Sequence, residues 1–272
     1  MIVTTEFVDI FVDGVSMRTF VAKPAVHAAP APPLRHPGIV FYSDIFQLTG
    51  PMLRASVRLA GHGFVVAAPE IYHRTEPPGS AIPFDDAGRT RGLENQAKTA
   101  VADFDRDCRA ALDYLAAHPA VAPSTLGAAG FCIGGHLAFR AALQPDVKAT
   151  VCFYGTGIHD GRLGRDADAG SLQRAGEIGG RVLLVWGTED PHIPADGRAK
   201  VEMALKEKGT AYSVRHHPAE HAFMRDEGPR FDPEASDQAF AETLSFFRDV
   251  FGPSPSVQNR KDDGSGVDAP VM

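Results

Sequence analysis

LGAAGFCIGGHLAFRAAL, running from Leu126 to Leu143, changes character at its centre. The first five residues form a small apolar run, too short for a helix and suited to a strand buried on both faces. The last eight, HLAFRAAL, read as the opening of a helix. Between them lies Gly130-Phe131-Cys132-Ile133-Gly134, with a glycine two residues either side of a cysteine. This is the Gly-x-nucleophile-x-Gly turn from strand to helix, with cysteine where serine is commoner. The nucleophile in such a turn sits in a strained backbone conformation. Side chains two positions away would clash with the bend, hence the glycines. The cysteine side chain is pushed up at the sheet edge. The N–H of Ile133 lies at a helix N-terminus and can donate to a developing oxyanion.

Similar apolar runs recur at Gly38–Tyr42, Phe64–Ala68, Ala149–Phe153, Val182–Trp186 and Tyr212–His216. Helical patterns separate several of them. Ala97, Val101, Phe104, Cys108, Leu112 and Leu115 recur at steps of three and four, with charged residues on the other faces. Ala199–Lys208 and Phe240–Phe251 give two more helices. This alternation predicts an α/β fold, with a mostly parallel central sheet and helices on both faces. A ligand site is then expected at the carboxyl ends of the strands. Two strands joined by Asp13-Gly14, Glu6–Val12 and Met17–Lys23, make an N-terminal hairpin. Pro24–Pro37 reads as a surface loop, Phe84–Asn95 as another, and Gly155–Gly180 as a flexible lid or cap. Residues 1–251 are expected to form one domain and 252–272 a disordered tail.

The chain has 272 residues, a net charge of −7 and 44% apolar residues. That balance excludes a nucleic-acid binder acting through bulk positive charge and a chain disordered throughout. No run of about 18 apolar residues is present, so no membrane span is expected. Cys108, Cys132 and Cys152 form neither a disulfide framework nor a zinc pattern. They fit a reducing compartment, and the expected location is cytoplasmic.

A cysteine nucleophile needs a base, and the base needs an acid to orient it. In hydrolases built on this turn the chain order is nucleophile, acid, histidine. Asp190 follows the strand RVLLVWG in Gly187-Thr188-Glu189-Asp190-Pro191, and His221 follows the strand AYSVRHH. Glu189 is the alternative acid, and His216 and His217 the alternative bases. Asp190 is preferred for its place in the Gly-x-x-Asp turn. His221 is preferred because its rivals lie in or at the end of a strand. His62, His136 and His192 read as helix-end or surface residues.

G-F-C-I-G-G-H, G-T-E-D-P-H-I-P, E-H-A-F-M-R and the region from Phe41 to Arg74 together resemble the dienelactone hydrolase family of the α/β-hydrolase fold. The resemblance runs from about Val3 to Phe251. It implies a Cys132–His221–Asp190 triad, hydrolysis of a carboxylic ester or lactone through a thioester, and no metal or organic cofactor. It further implies an acidic residue contacting the resting thiol. Asp44 holds that position, one methylene shorter than the glutamate of well-known members. Ile45 would then supply the second oxyanion N–H. Arg225, with Arg91 or Arg89, would bind a substrate carboxylate. Tyr72, His73 and Arg74 also follow a strand end and could line the pocket. The implied partner is a small-molecule ester or lactone, with no nucleic acid and no membrane. Two other readings remain: a general carboxylesterase or thioesterase, and a non-hydrolytic thiol sensor or ligand binder on the same fold.

Overall fold

The computed structural model describes residues 1–25 and 34–253. The middle of the proline-rich loop, and the expected tail beyond Pro253, lie outside the described residues. Eight strands form one sheet in the order β1-β2-β4-β3-β5-β6-β7-β8. β1 (Val3–Val12) and β2 (Val15–Pro24) are the expected hairpin. Asp13 at φ 51° and Gly14 at φ 80° give its turn two left-handed residues, the conformation an Asp-Gly pair tolerates best. β2 runs antiparallel to β4 (Val65–Pro69). The remaining pairs among β4, β3 (His36–Tyr42), β5 (Val121–Phe131), β6 (Val147–Phe153), β7 (Arg181–Gly187) and β8 (Ala211–His217) are all parallel. β4 is buried along its whole length and β7 at every residue but Arg181, which is why they read as continuous apolar runs.

Helices α1 (Gly50–Gly61) and α6 (Pro233–Phe251) pack together on one face of the sheet, over Phe41, Phe131 and Phe153. α3 (Val101–Ala117) and α4 (Ile133–Ala141) pack together on the other, where Arg140 pairs with Asp105. α5 (Ala195–Glu207) lies against β8.

The stretch read as a loop around Arg89 and Arg91 is a helix, α2 (Asp86–Lys98). Asp85 caps it, accepting from the Gly88 N–H at 2.7 Å. Apolar periodicity cannot find this helix, because its buried stripe is Gly88, Gly92 and Asn95. A Cβ on Gly92 would lie 2.5 Å from the Ile45 carbonyl oxygen, so α2 presses directly on the loop after β3.

The Gly155–Gly180 segment is bonded into the body of the protein rather than free as a lid. Arg165 N–H donates to Thr99 O at 2.9 Å, and Asp166 accepts from the first N–H of α3 at 2.7 Å. Arg140, only 4% exposed, donates to Ala169 O and Ser171.

Candidate active site

β5 ends at Phe131 and α4 begins at Ile133, so Cys132 alone makes the turn. Its φ of 58° and ψ of −121° are the strained geometry the sequence predicts. The flanking glycines are sterically forced. A Cβ on Gly130 would lie 2.0 Å from the Gly134 oxygen, and one on Gly134 would lie 2.4 Å from the Ser43 oxygen. The backbone of Cys132 is tied down as well. Its N–H donates to Phe153 O at 3.1 Å, and its carbonyl accepts from Gly135 and Thr156. Ile133 is the first residue of α4, so its N–H has no carbonyl within the helix to bond.

Asp190 and His221 come from the loops after β7 and β8. Those loops are joined to each other: Thr188 N–H donates to His217 O at 2.8 Å, and Glu189 N–H to Ala219 O at 3.1 Å. His221 Nδ1 bonds Asp190 Oδ2 at 2.7 Å, with both residues buried. Asp190 Oδ1 accepts the His192 N–H at 2.8 Å. Burial works against ionisation of Asp190, yet the bond from His221 and its charge hold the carboxyl below its ordinary value. Burial also disfavours the His221 imidazolium. The adjacent Cys132 and the bond to Asp190 outweigh it and raise the pKa to about 9. The Tyr154 ring stands edge-on to His221 at 5.1 Å, and the His192 ring at 4.8 Å. The rival residues lie elsewhere. Glu189 and His216 are exposed, and His217 is bonded to Glu242 at 3.1 Å. His136, read as a helix-end or surface residue, is completely buried.

Asp44 lies just past β3, but both its oxygens are engaged away from the thiol. Oδ1 accepts the Phe46 N–H at 2.9 Å, and Oδ2 accepts from Arg225 Nη2 at 2.5 Å and Nε at 3.1 Å. The Arg225 guanidinium is held between the rings of Phe46 and Phe84, 4.8 Å and 4.6 Å from their centres. The Cys132 sulfur has Thr156 Oγ1 in hydrogen-bonding range, at 3.7 Å, and the His221 side chain beside it. Asp44 and Cys132 both act on Tyr72 and Tyr154. After burial, the charges of both push the Tyr72 hydroxyl well above its ordinary pKa; with Arg225 opposing, they do the same at Tyr154.

The arginines divide. Arg91 is committed to Glu76, whose other partner is Asn95, so it is not placed as a free carboxylate ligand. Arg74 is bound to Asp107 at 2.5 Å. Arg89 is exposed, and its charge reaches His192, which burial and then His221 already hold below its ordinary pKa. Tyr72 is 1% exposed, and its hydroxyl has no hydrogen-bond partner among the described residues. Tyr154 and Thr156 escaped the sequence reading, although the rule that sites gather at strand carboxyl ends points to the residues after β6. Among the described residues, no three His, Cys, Asp or Glu side chains gather as metal ligands, and no helix is long and apolar enough to cross a membrane.

A mostly parallel eight-stranded sheet, flanked by helices and carrying a cysteine in the strained turn after β5, defines an α/β hydrolase. The sequence profile of the dienelactone hydrolase family matches residues 24–251, and the chain belongs to that family. It is 36% identical over 232 residues to a "putative carboxymethylenebutenolidase" of Saccharomyces cerevisiae, covering 84% of each chain. With the carboxymethylenebutenolidase of Pseudomonas sp. (strain P51) it shares 28% over 214 residues, covering 79% of this chain and 85% of that one. The crystal structure of a "putative dienelactone hydrolase" from Klebsiella pneumoniae subsp. pneumoniae has the same fold. Its TM-score is 0.79 at 23% identity, and the match covers 91% of this chain and 99% of that one. The protein is a dienelactone hydrolase-like enzyme of the carboxylic ester hydrolase class.

Proposed function

We propose that this chain opens a lactone, or cleaves a related carboxylic ester, through a thioester on Cys132. The observation that carries this is the buried 2.7 Å Asp190–His221 bond, on laced loops beside a cysteine held at φ 58°. Asp190 accepts a hydrogen bond from the Nδ1–H of His221 and stays ionised, leaving Nε2 to receive the proton of the Cys132 thiol. The thiolate sulfur bonds to the substrate carbonyl carbon. The N–H groups of Ile133 and Ile45 take the oxyanion, each contributing on the order of 3 kcal/mol. As the tetrahedral centre collapses, the carbon–oxygen bond breaks and His221 returns its proton to the leaving oxygen. Water, deprotonated by His221, then attacks the thioester. The acid departs and the thiol is restored. Every proton that moves passes through one imidazole, and no cofactor enters these steps. A cytoplasmic location rests on the sequence reading, and the unpaired state of all three cysteines supports it.

The names of the relatives point to a lactone bearing a free carboxylate. Arg225 would receive it, exchanging Asp44 for the substrate carboxylate. The commitment of Arg91 to Glu76 and of Arg225 to Asp44 favours a second reading, in which neutral esters are also turned over. A panel of cis- and trans-dienelactone, p-nitrophenyl esters and acyl thioesters separates the two. Arg225→Lys keeps the charge and loses the planar fork. It is expected to raise KM for the carboxylate-bearing lactones about tenfold and leave KM for neutral esters nearly unchanged. Equal KM changes for both groups would assign the site to neutral esters. Failure of the parent protein to turn over any member of the panel would end the hydrolytic proposal.

The raised pKa of His221 also fixes a pH window. The folded protein binds that proton more tightly than the unfolded chain. Its stabilisation is therefore complete below 6.5 and lost as pH rises through about 9. Asp190 is shifted downward, so its contribution is present above 3.8 and lost as pH falls through its folded value. Because His221 must hold a proton for the leaving oxygen, kcat/KM is expected to fall about tenfold per unit above pH 9. A rate profile with a slowly hydrolysed ester checks this. A flat profile to about one unit beyond that limb would separate His221 from proton transfer.

A further inference from the structure

The triad leaves His136, Arg140 and Ser171 without a purpose, and all three are buried. They form a chain of hydrogen bonds that ends at the backbone of Thr156, the residue whose hydroxyl lies beside the sulfur. Thr156 Oγ1 lies 3.7 Å from Cys132 Sγ, and the Thr156 N–H donates to the Cys132 carbonyl at 3.1 Å. The Thr156 carbonyl faces His136 Nδ1 at 3.2 Å. His136 Nε2 lies 2.8 Å from Ser171 Oγ, which also accepts from Arg140 at 3.0 Å. Arg140 in turn holds Asp105 with two nitrogens, at 2.7 Å and 2.5 Å. Burial pushes the pKa of His136 down to about 3, so the imidazole is neutral at working pH and carries one N–H. A carbonyl can only accept, so that N–H sits on Nδ1, and the Ser171 hydroxyl donates to Nε2. Each donor in the chain has its acceptor, and these bonds hold the Thr156 backbone from which the hydroxyl projects.

The sulfur is also faced by His221 from the loop after β8, by the compensated Asp44–Arg225 pair, and by Tyr72 and Tyr154 from the ends of β4 and β6. Thr156 has its hydroxyl in hydrogen-bonding range of Sγ, at 3.7 Å. We propose that Thr156 is a catalytic residue: its hydroxyl donates a hydrogen bond to the Cys132 sulfur whenever that sulfur is an anion. That happens twice per turnover, before the thiolate attacks and again when the thioester carbon–sulfur bond breaks. The sulfur leaves with the bonding pair and is reprotonated by His221, while the hydroxyl keeps its own proton throughout. The inference rests on Cys132 being the nucleophile. The His136–Ser171–Arg140 chain anchors the Thr156 carbonyl and so the backbone that carries the hydroxyl.

Thr156→Val keeps the shape and removes the O–H, and Thr156→Ser keeps the O–H and removes the methyl. The first measurement is the rate of iodoacetamide alkylation at Cys132 against pH, read by mass spectrometry. Cys108 and Cys152 are buried and do not compete. The expected result is a midpoint about one pH unit higher in Thr156→Val, hence about tenfold slower alkylation below it, with Thr156→Ser at the parent value. The second measurement is ester turnover, where kcat should fall about tenfold in the valine variant with KM little changed. Coincident alkylation profiles for parent and valine variant would overturn the proposal. So would equal shifts in the valine and serine variants, which would assign the effect to packing of the methyl group. Thr156→Ala repeats the test if valine cannot be seated. The alkylation arm needs no hydrolysis, so it reports on the hydroxyl even if the substrate proposal fails.

Discussion

Cys132→Ala is expected to hydrolyse esters and lactones at no more than about one ten-thousandth of the parent kcat. The variant keeps the Cβ that already sits in the strained turn, and it keeps both glycines and the backbone bonds to Phe153, Gly135 and Thr156. The fold should therefore survive, with a thermal midpoint close to that of the parent. What disappears is the atom that bonds to the carbonyl carbon. Water activated by His221 would have to attack the parent ester rather than a thioester already held on the enzyme, which forfeits the covalent route. Quenching the parent protein during turnover of a slow ester should show the acyl mass on the peptide containing Cys132. The variant should show none. Retention of more than a few per cent of parent activity, or an acyl mass on another residue, would remove the thioester from the mechanism.

Asp190→Asn should lower kcat by about 10⁴, the size of the loss when the same change is made in the serine-protease triad. Its cause is a reversed hydrogen bond. An amide nitrogen at this position donates where the carboxylate accepted, so it prefers His221 with a bare Nδ1. The proton then sits on Nε2, where the sulfur's proton has to arrive. The substitution also removes one of the influences that raise the His221 pKa, so the imidazolium is lost at lower pH. The alkaline limb of the rate profile should move down together with the loss of kcat. If kcat falls and the limb stays at about 9, the carboxylate acts only on orientation, and the charge at Cys132 governs the titration.

The parts of the site legible in the sequence are those the backbone imposes. A strand, a bend and a helix start around Cys132 require glycine at 130 and 134, because no other residue has room there. The order of Asp190 and His221 after their strands follows from the sheet running parallel. The parts that escaped are set by side chains meeting across the fold. α2 was invisible because its inner stripe is glycine and asparagine rather than leucine and valine. Arg91 could not be separated from Arg89 without the buried Glu76 that captures it. Asp44 kept the acidic character its position implies, yet its shorter side chain finds Arg225 and the Phe46 N–H. His136 showed no sign of burial, since its partners Thr156 and Ser171 lie 20 and 35 residues further along the chain.

The two peptide hydrogen bonds from Thr188 and Glu189 to the stretch around His217 and Ala219 have a practical implication for redesign. Asp190 and His221 travel as one block, so lengthening either turn to widen the entrance would drag both out of register with the sulfur. Variation in what the enzyme accepts is better placed in α2 and around Arg89, on segments that carry neither Asp190 nor His221.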